Sequence, residues 1–163
     1  MKKQKMISEE ERVEVRGLVK EKNERSLASV VPWYVLWLMN EVLNVQDAVI
    51  HITPSDICEL FQDGGMICGF DNSVDATQQG RMSQLMEQVK DNLNGLMPLE
   101  NCLVFFFFPK ESPVMMDEME SVNALIGSLD CPVKWGMAIE KNEKCSTLRV
   151  ITLLQSKNLC FQK

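Results

Sequence analysis

The sequence predicts an α+β fold: a single mixed sheet backed by helices in a two-layer sandwich, with an N-terminal helical extension. From residue 48 onward, short apolar segments typical of strands alternate with segments whose apolar residues recur at helical spacing. Residues 103–108 form a continuous apolar run bounded by Asn101 and Pro109, which is typical of a strand buried on both faces. An alternation in this order argues for one sheet backed by helices on one face.

Each element of this region is predicted from its own pattern. Strands are predicted at 49–53, 66–70, 103–108, 133–139 and 148–154, and helices at 54–61, 80–96 and 114–129. The polar stretch 71–79 is predicted to be a turn. Because only a short polar segment separates the last two strands, we expect those two strands to pair as a hairpin.

Three segments are predicted in order along the chain. Residues 1–29 form a charged helical arm, in which Ser8 and Glu11 have the spacing of a capping box. Residues 30–47 contain an apolar helix. Residues 48–163 form the α+β domain.

The helix predicted at 30–45 carries apolar residues around most of its circumference, including Trp33, Tyr34 and Trp37. A helix of this kind must be buried on several sides or must cover a partner. If one side stays uncovered, the aromatic residues form an exposed apolar patch. Three outcomes are open: the N-terminal arm folds over them, the chain forms a homodimer through residues 30–45, or another protein buries them.

The composition restricts the class of partner. With 17 Lys and Arg against 23 Asp and Glu, the formal charge is -6, which argues against nucleic acid because phosphate binding needs clustered basic residues. The strongest membrane candidate, 27–39, is far shorter than the roughly 20 apolar residues of a spanning helix. The six cysteines match no metal-binding spacing. We therefore expect a cytoplasmic protein with free thiols, without a metal or cofactor, and without a membrane or nucleic-acid partner.

Two groups with chemical potential have ordinary explanations. His51 is the only histidine, so any Cys–His or Ser–His mechanism would have to use it. A single histidine at the end of a strand is more often structural. Asp117, Glu118 and Glu120 are predicted to form a solvated helix face rather than a metal site, because three acids at that spacing do not converge.

Four short segments carry a resemblance to a known family through their order and spacing. They are VIHITPSDI at 49–57, GMICG at 65–69, GR at 80–81 and TLRVIT at 147–152. Together they resemble the C-terminal domain of FtsZ, the tubulin-like bacterial division protein. The resemblance implies that the apolar helix before them corresponds to the end of the central helix that joins the two halves of FtsZ.

The resemblance also implies which residues face a partner. The synergy loop of FtsZ carries an Asn and two acidic residues that position water at the nucleotide of the next subunit, and the matching positions here are His51, Thr53 and Asp56. Only the last acid is kept, which implies no enzymatic activity beyond a weak contribution in trans to another GTPase. Pro54 and Ser55 belong to the same contact surface. Asp56 has a second interpretation as a cap of the short helix that follows.

In FtsZ the N-terminal half binds GTP through a glycine-rich loop, and these 163 residues contain no such loop. The resemblance therefore predicts an FtsZ-like accessory protein that acts by protein contact and modulates or caps FtsZ-like filaments in cell division. Its partner would be an FtsZ-like subunit or a second copy of itself. Whether it is a decayed, split or specialised form is left open.

The rival interpretation is a small-molecule-binding or enzymatic α+β domain that shares only the layer architecture. A pocket lined by His51, Asp56 and a thiol with a perturbed pKa would favour this rival.

Overall fold

The computed structural model describes residues 32–45, 48–61, 66–140, 142 and 144–156. The charged arm predicted at 1–29 lies outside these residues. The helices are α1 (Pro32–Leu43), α2 (Pro54–Leu60), α3 (Arg81–Leu93) and α4 (Met119–Ser128), and a short 3-10 helix (Met116–Glu118) precedes α4. The strands are β1 (Ala48–Ile50), β2 (Met66–Asp75), β3 (Leu99–Pro109), β4 (Val133–Glu140) and β5 (Thr147–Ser156).

The five strands form one mixed sheet in the order β1-β4-β3-β5-β2. Strands β3 and β4 are parallel, whereas the other neighbouring pairs are antiparallel. The run 102–109 of β3 is buried along its whole length, as expected for a central strand covered on both faces. The predicted α+β class with a single mixed sheet is confirmed.

The predicted hairpin between the last two strands is wrong. Phe105 of β3 pairs with Gly136 of β4 on one side and with Ile151 of β5 on the other, so β3 separates β4 from β5. The apolar side chains of β3 need cover on both faces and gain most from the central position. The short polar connection between β4 and β5 therefore spans β3 instead of closing a hairpin.

The predicted turn at 71–79 is also wrong in its first half. Strand β2 continues to Asp75, which pairs with Thr147 of β5. The segment is polar because β2 is an edge strand: Asp71, Ser73 and Asp75 are exposed, whereas Val74 is buried.

The helices lie on both faces of the sheet. Asn92 of α3 donates a hydrogen bond to the side chain of Asn72. A Cβ at Gly69 would instead meet Leu38 of α1 at 2.5 Å. Since Gly69 and Asn72 are three residues apart in β2, their Cβ directions point to opposite faces. Helix α3 and its neighbour α4 form the helical layer of the sandwich, and the N-terminal extension α1 covers the other face.

Helix α1 is held tightly on that face. Val35, Leu38, Met39 and Val42 are at most 2% exposed. A Cβ at position 69 would overlap a terminal methyl group of Leu38, so a larger residue there would force this buried side chain to move. The helical extension is therefore an integral part of the hydrophobic core.

Candidate functional site

The segment that matches the synergy loop connects β1 to α2 at the surface. His51, Thr53 and Ser55 are exposed, and Pro54 is half-buried as the first residue of α2. Ile52, between them, is buried and ties the segment to the core. The predicted contact residues of this segment thus lie together at the surface.

Asp56 is engaged through both carboxylate oxygens. Its Oδ2 accepts a hydrogen bond from the Thr53 amide at 2.9 Å, and its own amide donates to the Thr53 hydroxyl at 3.1 Å, which is a capping box. Its Oδ1 accepts a hydrogen bond from Nζ of Lys134 at 3.0 Å. Lys134 also pairs with Glu59 at 3.1 Å.

These contacts determine the charge state of Asp56. Burial acts to raise the pKa of the carboxyl, but hydrogen bonds from the Thr53 amide and from Lys134 outweigh burial and lower the pKa. The carboxylate is therefore ionised at neutral pH, and each of its oxygens already accepts one hydrogen bond. The lowered pKa makes Asp56 a weaker base toward a water bound at its remaining acceptor sites.

The aromatic residues of α1 are only partly uncovered. Tyr34 is half-buried and stacks on Trp37 with 6.0 Å between ring centroids, and Trp37 is 45% exposed. The side chain of Trp33 lies outside the described part of the structure. Within the described residues, the apolar patch predicted for this helix consists of Trp37 and the half-buried Tyr34. The choice among the three predicted outcomes stays open.

Arg149 connects the exposed aromatic side of α1 to the sheet. Its Nε and Nη2 donate to the two carboxylate oxygens of Asp71 at 2.9 and 2.8 Å, and Nη1 lies 3.6 Å from a carboxylate oxygen of Glu41 in α1. The guanidinium lies 5.8 Å from the ring centroid of Trp37 and 5.1 Å from that of Phe107. The sequence pattern indicates position 149 only as part of a family-like strand, because the partners of Arg149 are remote in sequence.

A second arginine occupies the opposite face. Arg81, the first residue of α3, forms a bidentate pair with Glu118 at 2.8 Å for both bonds. Its remaining N–H groups donate to the carbonyl oxygens of Ala76, Ser112 and Pro113 and to the Ser112 hydroxyl. The prediction that Glu118 belongs to a solvated helix face is wrong: its side chain is 14% exposed, and hydrogen bonds from Arg81 lower its pKa although burial opposes them.

A cavity of about 530 Å³ lies beside this network, and its wall includes Ser83, Glu111, Asp117 and Ser121. Arg81 faces this cavity, but the N–H groups of its guanidinium are used by protein acceptors. The cavity therefore lacks an available cation for an anionic ligand. Elsewhere in the described residues, no group of three or more His, Cys, Asp or Glu side chains is arranged to hold a metal ion.

The buried thiol of Cys102 has no reactive character. Burial, with a smaller contribution from nearby Cys131, raises the pKa of Cys102 to about 12, so this thiol stays protonated. Among the described cysteines, those at 102, 131 and 145 are free thiols, and position 160 lies outside the described residues. The cavity beside Arg81 and a second one between the ends of α3 and α4 are lined by neither His51 nor Asp56 nor a cysteine.

None of the described helices is long and apolar enough to cross a membrane.

The sequence matches no protein-family model and no curated protein. Its fold is similar to the GDP-form protofilament structure of TubZ from Bacillus thuringiensis serovar israelensis (TM-score 0.58, 12% identity), covering 87% of this chain and 41% of that one. A helical model of the TubZ-Bt four-stranded filament gives a TM-score of 0.57 at 13% identity, over 88% of this chain and 40% of that one. The GDP-bound monomer of CetZ1 from Haloferax volcanii gives 0.52 at 13% identity, over 79% and 39%.

The chain spans about two-fifths of the length of these structures. At such low identity the similarity establishes the fold alone. The closer assignment, to the C-terminal domain of FtsZ, stays a prediction. The described part of the chain has a tubulin-like fold.

Proposed function

We propose that this chain binds an FtsZ-like subunit of a tubulin-like filament by protein contact. The bound chain modulates or caps the filament. The observation that carries the proposal is the similarity to TubZ protofilament structures over 87–88% of this chain. The contact surface is the segment from His51 to Asp56, named here the loop surface. A cytoplasmic role in cell division is the corresponding biological setting.

The geometry of the loop surface favours contact over chemistry. The capping box between Thr53 and Asp56 and the ion pair to Lys134 hold its backbone in one conformation. A preordered surface loses less conformational entropy on binding. The same contacts lower the pKa of Asp56 and make it a weaker base, so water activation in trans would be weak. In this contact the nucleotide is that of the partner subunit.

The test is to titrate the purified chain into assembling TubZ or FtsZ with GTP, following sedimented polymer and phosphate release together. Capping predicts that substoichiometric chain reduces both signals, because one bound chain blocks one filament end. A chain that changes neither signal at equimolar amounts refutes the proposal.

A matched pair of variants tests whether the loop surface is responsible. Ser55→Trp places a bulky side chain on the exposed loop surface, whereas Asn123→Trp places the same side chain on the exposed part of α4. We expect only S55W to abolish the effect. Equal loss in both variants, or in neither, excludes the loop surface as the contact.

Self-association is the coarser form of the same proposal, because similar folds occur in filament structures. A homodimer through residues 30–45 would bury Trp37, which is 45% exposed. Sedimentation equilibrium of the wild type and of Trp37→Ser distinguishes the cases. A dimer that persists in W37S forms elsewhere, and a monomer at all concentrations removes this partner.

A further inference from the structure

A groove lies between the C-terminal ends of α3 and α4, at the end of the helical layer opposite to Arg81. Its volume is about 480 Å³, and Leu93, Met97, Leu125 and Leu129 line its apolar part. The three leucines are at most 4% exposed, but Met97 is 39% exposed. The accessible area of Met97, next to these leucines, favours packing of a further apolar segment.

The rim of this groove is charged. Glu87 and Asp91 contribute two carboxylates and Lys90 one ammonium group, so the rim has a net negative charge. A segment with apolar side chains and flanking basic residues is the complementary occupant.

The chain itself leads to this groove. Ser156 ends β5, and its hydroxyl donates a hydrogen bond to the carbonyl oxygen of Leu96. Leu96 directly precedes Met97, which lines the groove. Seven residues, 157–163, follow Ser156. In an extended form they reach about 23 Å, similar to the length of about 20 Å expected for α3.

The sequence of this segment fits the groove. It is KNLCFQK, with Leu159 and Phe161 two residues apart and with Lys157 and Lys163 at its ends. Two residues at this spacing share one side of an extended chain. We propose that residues 157–163 dock in the α3–α4 groove of the same molecule, with Leu159 and Phe161 against the leucines and Met97. This inference concerns a different surface from the loop surface and does not depend on the proposed function.

The test uses the full chain under native conditions and a lysine-specific endoproteinase that cleaves after Lys157. The rate of release of residues 158–163 is measured by mass spectrometry and divided by the rate for a synthetic peptide of the same local sequence. When docking and release are fast, cleavage follows the population of the undocked segment. We expect Leu159→Asp/Phe161→Asp to raise the normalised rate about tenfold, which corresponds to 1.4 kcal/mol. The matched control, Cys160→Asp/Gln162→Asp, adds the same charges on the other side of the segment, so repulsion by the negative rim acts in both variants. The control keeps Leu159 and Phe161 and should therefore raise the rate clearly less than L159D/F161D does.

The groove is tested from its own side by Met97→Asp, with Met116→Asp as control because Met116 is 88% exposed and lies outside the groove. M97D should accelerate cleavage as the tail variant does, and M116D should not. Wild-type cleavage as fast as that of L159D/F161D overturns the proposal. Protection that increases with protein concentration also overturns it, because the groove would then hold the segment of a second copy.

Discussion

Two arginines hold opposite faces of the same strand, and they do so in different ways. Arg81 lies over the ring of Phe108 on the α3 face, and Arg149 lies over the ring of Phe107 on the α1 face. Each forms a bidentate pair with one carboxylate. The Arg81 side chain is 7% exposed and that of Arg149 is 22% exposed.

The difference shows how each helix is fastened to the sheet. Arg81 uses backbone carbonyls of the connection after β3, so it orders a loop as well as a helix end. Arg149 is placed between Trp37 and Phe107 and bridges α1 to β2 through Glu41 and Asp71. The two arginine networks therefore stabilise the fold.

The largest expected effect comes from removing the buried guanidinium. Arg81→Met leaves Glu118 buried without its cation, and breaking a buried pair in this way costs about 3–5 kcal/mol. The free energy of unfolding in urea measures this loss. The double variant Arg81→Met/Glu118→Leu removes both charges and should recover most of the stability. If R81M alone costs less than about 1 kcal/mol, the pair is not buried as described.

The next comparison sets a crowded glycine on the α1 face against an open one on the α3–α4 layer. A Cβ at Gly136 would lie 2.7 Å from the carbonyl oxygen of Ile50 and 2.7 Å from the Phe105 ring. Overpacking of this kind costs about 1–3 kcal/mol, so Gly136→Ala should destabilise. A Cβ at Gly127 in α4 meets nothing within 4 Å. Gly127→Ala should therefore stabilise by about 0.5–1 kcal/mol, through higher helix propensity. Thermal unfolding of both variants gives the two signs.

The surface arginine should matter less than the buried one. Arg149→Met loses charge-assisted hydrogen bonds to Asp71 and a contact with Trp37, at a cost of about 1–2 kcal/mol. A double-mutant cycle with Trp37→Ala isolates the aromatic part, expected at about 0.5–1 kcal/mol. A parallel cycle of Trp37→Ala with Lys134→Met should show no coupling. Equal coupling in both cycles would mean that the ring and Arg149 do not interact specifically.

The distance along the chain between interacting residues explains what sequence could predict. The sequence indicates the capping role of Asp56, because its partner Thr53 is only three residues away. The partners Arg81 and Glu118 are 37 residues apart, and Arg149 and Asp71 are 78 apart. No local sequence pattern pairs such residues. The spacing of the acidic residues around Glu118 therefore predicts a solvated helix face and not a buried ion pair.

The same limit applies to the fold. Apolar periodicity predicts α3 and the central strand, because the spacing of apolar residues within one element indicates which of its side chains are buried. The strand next to β5 depends on which strand gains most from the centre of the sheet, and the periodicity of a single element does not contain this information. Likewise the polar half of β2 resembles a turn, because an edge strand exposes alternate polar side chains such as Asp71 and Ser73.

The smallest effect concerns the loop surface and depends on pH. The pKa of Asp56 is lowered in the folded state, so its carboxylate contributes stability that is present above the unfolded pKa and is lost as pH falls through the folded pKa. Asp56→Asn should cost at most about 1 kcal/mol at pH 7, because the ion pair with Lys134 is partly exposed. The difference in unfolding free energy between wild type and D56N should shrink below the ordinary aspartate pKa of about 3.9. Urea unfolding at neutral and acid pH measures it. If the difference is the same at both, the stabilisation comes from capping geometry and not from charge. The loop surface would then be rigid independently of Lys134, and the Lys134→Met variant would bind a filament partner as the wild type does.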